Sequence, residues 1–149
     1  MEKLTHSELL EAISHFEIDG NVINIEENHN GHINDTFVVT AENEEKKRTR
    51  YIVQRINSNV FPNVKNVMFN IQEVLSFMRK KVADNQGDLS KEVLTLIPTK
   101  KTKQVILKMR KVLSSALICI WKILFPITKP LLLKFLALPD VLLANFKEI

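Results

Sequence analysis

The sequence predicts an α+β fold, an antiparallel sheet covered by one long helix and followed by an apolar tail, and three observations point to it. Three short runs rich in β-branched residues, at 22–25, 36–40 and 50–56, follow one another between polar turns. Apolar residues then recur at helical spacing over 64–81. Beyond residue 100 the composition changes: all three glycines and fifteen of the seventeen acidic residues lie before it, while eleven leucines and nine Lys/Arg lie after it.

Each element has its own justification. Thr5 with Glu8 three residues on has the form of a capping box, and Leu9, Leu10, Ile13 and Phe16 share a helical face, so a short first helix is expected, closed by Gly20. Val22, Ile23 and Ile25 suggest a first strand. Residues 28–34 form a polar turn, and Thr36-Phe-Val-Val-Thr a second strand. The charged run 42–50 reads as a solvated hairpin tip. Arg50-Tyr-Ile-Val-Gln-Arg-Ile alternates as a third strand. Pro62 then introduces the helix, in which Val64, Val67, Met68, Ile71, Val74, Leu75 and Met78 make one apolar face. A loop over 83–90 leads to a fourth strand over 92–97.

Composition excludes some function classes. The chain has 45% hydrophobic and 26% charged residues, ordinary for a globular domain, with a net charge of +4. That charge is the sum of about −3 before residue 101 and about +7 after it, which is poor support for a nucleic-acid surface. The single Cys119 forms no internal disulfide and no secretory signal is evident over 1–16, so a cytoplasmic setting is expected. No Cys/His spacing suits zinc.

The stretch Asn28-His-Asn-Gly-His-Ile-Asn-Asp-Thr-Phe carries the chemistry. A glycine in a turn between strands lets backbone N–H groups and short polar side chains face an oxyanion, although turn chemistry alone also demands these residues. Gly31-His-Ile-Asn-Asp-Thr-Phe, then Tyr51-Ile-Val-Gln-Arg-Ile-Asn and Asn59-Val-Phe-Pro-Asn-Val, in this order, resemble the start of the aminoglycoside/choline-kinase-like phosphotransferases, nearest the N-acetylhexosamine 1-kinase branch, also labelled mucin desulfatase. The resemblance covers about residues 5–100.

The resemblance implies a protein-kinase-like amino-terminal lobe over 1–100 that binds ATP with magnesium. The turn Asn30, Gly31, His32, Asn34, Asp35 and Thr36 would lie over the phosphates. The family's third strand supplies a cation and the following helix a carboxylate to hold it, which places Arg55, or Gln54 as the alternative, and Glu73 in those roles. No lysine occurs in 51–56, and strand alternation sends Gln54 and Arg55 to opposite faces. Glu73 is equally at home facing solvent, and His32 as a solvated loop histidine. The family's catalytic loop and magnesium-binding Asp belong to a second lobe. No histidine follows His32 and only Asp140 follows Asp88, so this chain is expected to be catalytically incomplete, with no catalytic and no metal-ligating residue.

The tail over 101–149 invites two readings. Residues 112–127 and 131–143 are apolar enough to suggest helices associating with a membrane, although Lys122, Lys129, Pro130, Lys134 and Pro139 interrupt them. The other reading is out-of-frame translation. Permitted codons for 101–147, read in another frame, yield phrases such as E-D-T-V-S-Y and P-E-V-F-G-I-A-G-R that resemble the family's continuation. A non-native helical tail is the expectation on that reading. The runner-up functions are a small membrane-associated protein anchored by 112–143 and a non-catalytic nucleotide-binding module.

Overall fold

The structure, a computed structural model, describes residues 4–28, 33–109 and 116–123, without the side chains of Lys91, Ala116, Leu117 and Ile123. It is an α+β arrangement. The elements are α1 (His6–Ser14), β1 (Asn21–Asn28), β2 (Asp35–Glu42), β3 (Arg48–Ile56), α2 (Val64–Asp84), α3 (Leu89–Glu92), β4 (Thr95–Ile97), β5 (Leu107–Met109) and β6 (Ala116–Ile123).

Helix α1 starts where the capping box places it. The Thr5 hydroxyl accepts from Glu8 N while the Glu8 carboxylate accepts from Thr5 N at 2.9 Å, which satisfies two otherwise orphan donors. Gly20 holds φ at +96°, and a Cβ there would stand 2.3 Å from the Glu42 carbonyl oxygen, so the approach of β1 to the end of β2 requires glycine. The β2–β3 hairpin turns over 43–47, where the Asn43 side chain accepts from Glu45 N and Lys47 N at 3.1 and 3.0 Å.

Every strand pair is antiparallel, in the order β1-β2-β3-β6-β4, with β5 paired to the beginning of β6 and β4 to its later part. Strand alternation divides the core in two. Phe37, Val39, Ala41, Tyr51, Val53, Ile118 and Ile120 pack with Leu9, Ala12, Ile13 and Phe16 of the α1 region. On the opposite face Ile52, Ile56, Cys119 and Trp121 pack with Val64, Met68 and Ile71 of α2.

Three differences from the sequence reading have physical causes. The fourth strand shortens to Thr95–Ile97, because Asp88 caps the extra turn α3 by accepting from Ser90 N at 3.0 Å. Helix α2 buries only its first half: Val74 and Met78, expected on the apolar face, stay 37% and 41% exposed beside Phe77 at 68%.

The helical reading of the tail is corrected for the described residues. Leu107–Met109 and Ala116–Ile123 are strands, and β6 lies between β3 and β4 in the interior of the sheet. Ile118 and Ile120 face one core while Cys119 and Trp121 face the other, an alternation with apolar residues on both sides that suits a central strand. Among the described residues no helix is long and apolar enough to cross a membrane. The segment 131–143 lies outside the described residues.

Candidate functional site

The polar cluster sits where β2 begins and β3 ends. Hairpin register sets Asp35 opposite Arg55 and Thr36 opposite Gln54. The turn preceding β2 is thereby anchored beside the end of β3. Asn34, buried, accepts from Asn57 N through its side-chain oxygen at 2.9 Å, fixing the chain as it leaves β3.

Face by face, the cluster separates. Gln54 shares its side of the sheet with Ile52, Ile56 and Cys119, the α2 side, and its amide nitrogen donates to the Thr36 hydroxyl at 3.4 Å. Arg55 shares the other side with Tyr51, Val53 and Ile118, the α1 side. Its side chain is 2% exposed, and Nη2 donates to Asp35 Oδ2. Nε and Nη1 are buried without a hydrogen-bond partner among the described residues. One carboxylate balances the charge, but two of the three guanidinium nitrogens lack the acceptors that burial normally demands.

A second carboxylate lies in the same field. Glu8 is held below the usual carboxylate range first by the Thr5 backbone N–H, then by the Thr5 hydroxyl, with a smaller pull from the Arg55 charge. Chemically, Arg55 Nε and Nη1 are two donors of the kind an oxyanion accepts from.

Of the residues singled out from the sequence, Asn34, Asp35, Thr36 and Arg55 come together at this one sheet end. Asn30, Gly31 and His32 lie outside the described residues. Glu73 does not join them: it is exposed on α2 and makes no ion pair with a described residue, whereas Arg55 points to the opposite face of the sheet. The strand residue on the helix side is Gln54. The pairings Asp35–Arg55 and Thr36–Gln54 escaped the sequence reading, yet they follow by counting back from the hairpin tip once its turn is fixed at 43–47. Among the described residues no group of three or more His, Cys, Asp or Glu could hold a metal ion. No family model matches the chain.

Proposed function

We propose that the chain is the nucleotide-binding lobe of an ATP-dependent phosphotransferase acting on the anomeric hydroxyl of an N-acetylhexosamine, without the groups needed for turnover. The observation that carries this reading is the juxtaposition of the polar turn at Asn34, Asp35 and Thr36 with Gln54 and Arg55 of the third strand. A sheet whose third strand leads into a helix packed on one face supports it further. Arg55 Nε and Nη1, buried and without a partner among the described residues, are donors of the kind a phosphate accepts from. ATP would supply the transferable phosphoryl group. Asp35 is engaged by Arg55, so magnesium would depend on nucleotide oxygens and on ligands other than these residues.

Residues from about 101 onward belong to this proposal as out-of-frame translation, tested by the gene's nucleotide sequence across the Lys100 codon. A sheet position buried on both faces demands an apolar run and no particular sequence, so β6 is compatible with that origin.

The test is titration of the full chain with Mg-ATP, followed by amide chemical shifts and by transfer to N-acetylglucosamine and N-acetylgalactosamine. The expected result is saturable binding that perturbs residues 34–36 and 54–55, is weakened by Thr36→Ala, and gives no sugar phosphate. Absence of any shift at these residues with millimolar nucleotide overturns the binding assignment. Metal-dependent turnover in a preparation free of host kinases overturns the inactive one.

A further inference from the structure

A groove of about 430 Å3 runs between the first turns of α2 and residues 103–108, sharing no residue with the Asn34–Arg55 cluster. That size falls within the roughly 300–1,000 Å3 typical of small-molecule sites. Its lining divides into an apolar floor and a cationic rim. Met68, buried, and Val105 and Ile106, half-buried, make the floor, and the Phe69 ring, 60% exposed, stands along it. Lys65 and Lys108, both exposed, supply cationic lining residues, and neither is ion-paired to a described residue. Lys103 also lines the groove but is held by Glu17. None of the described lining residues is a carboxylate.

The wall opposite α2 is built rather than loose. Thr99 N donates to Gln104 O at 2.8 Å and Lys103 N to Thr99 O at 3.0 Å. The Thr99 and Thr102 hydroxyls meet at 2.8 Å. Lys103 itself sits at φ 56°, the left-handed conformation that closes such a turn.

We infer that this groove binds a small amphipathic anion, an aromatic or acyl group bearing a phosphate or carboxylate. The apolar floor offers burial to a flat or aliphatic body, and two cations with no ion-pair partner among the described residues raise the local potential for the charged end. Against a low-dielectric wall that attraction is stronger than on open surface, and salt weakens it. These properties belong to the folded surface however residues 103–108 arose.

The probe is 2-naphthyl phosphate, with 2-naphthol as its uncharged counterpart, titrated into the full chain at low and high salt. The phosphate should bind saturably, shift the methyl resonances of Met68, Val105 and Ile106, and bind roughly tenfold more tightly than the naphthol. Combining Lys65→Glu with Lys108→Glu should lower its affinity by about the same factor. Lys46→Glu with Lys80→Glu, which changes net charge equally at the hairpin tip and at the far end of α2, should leave it unchanged. Equal binding of the naphthol, an equal loss in the control pair, or methyl shifts at Met78 in place of the groove would each overturn the assignment. The wild-type methyl shifts decide the matter even if the groove variant does not fold.

Discussion

Arg55 is the residue on which the candidate site turns. A guanidinium almost wholly removed from water is tolerable here because Asp35 faces it across the hairpin, and Asp35 keeps about a third of its side chain in water. Breaking one side of such a pair leaves a buried charge uncompensated. Asp35→Ala should therefore cost about 2–4 kcal/mol in urea unfolding, the upper end of the usual range being reduced by that residual exposure. Arg55→Met, which removes the charge and keeps the volume, should be near neutral or stabilising while abolishing any Mg-ATP shift. If Arg55→Met destabilises more than Asp35→Ala, the guanidinium is a structural post rather than a donor kept for a ligand. Cys119 is the other residue with a consequence. Burial pushes its thiol up to about 12 from an ordinary value of 9.0. The unfolded chain loses that proton near 9 and the folded chain holds it to about 12, so the folded state binds more protons between those values. The contribution of Cys119 to stability should be level below pH 9 and fall from there to about pH 12, with Tyr51, also raised first by burial, acting in the same direction. An alkaline unfolding series on wild type and Cys119→Ala checks this: the variant should lose stability less steeply.

At the scale of elements, much of the fold was legible because local chemistry and burial agree. The Thr5 cap, the hairpin strands and the start of α2 each carry a signal that the sheet then uses. Strand alternation also anticipated that Gln54 and Arg55 would part to opposite faces. What was not legible depends on partners distant in sequence. The fate of Arg55 could not be read, because its salt bridge is a matter of hairpin register. The inner half of α2 follows the apolar periodicity, but in its outer half Val74 and Met78 stay exposed while Arg79 donates to Leu94 O and Thr95 Oγ1, and periodicity alone does not state where the apolar covering ends. Likewise β6 is rich in residues that serve helix or strand, and a buried apolar run of its length carries no period that tells the two apart. Glu73 was placed by the family resemblance and by nothing in its neighbourhood, and α2 leaves it exposed.

The whole molecule is held together by a strand drawn from the far side of the composition break. Removing everything after residue 100 would unpair β3 from β6, unpair β4 from the same neighbour, and strip Ile118, Cys119, Ile120 and Trp121 out of both cores. A 1–100 fragment should accordingly show no cooperative unfolding transition and should bind hydrophobic dyes, while a 1–123 fragment should unfold cooperatively. Calorimetry of the two fragments measures this. A cooperative transition in the shorter one would mean that the sheet needs only its first three strands.

The same insertion governs the order in which the molecule can assemble. The β2–β3 hairpin joins neighbours in the chain, but Arg50 meets Ile123 only after the intervening helix and loops have been made. Contacts of such long sequence separation carry a loop-closure cost before they return any stability, and they slow folding. On the ribosome the hairpin and α2 emerge with an open strand edge that no earlier part of the chain can cover. Capture of β6 between two strands already synthesised is then the step that turns a collapsed precursor into a closed sheet, and the interval before it is when the chain is most exposed to aggregation and proteolysis.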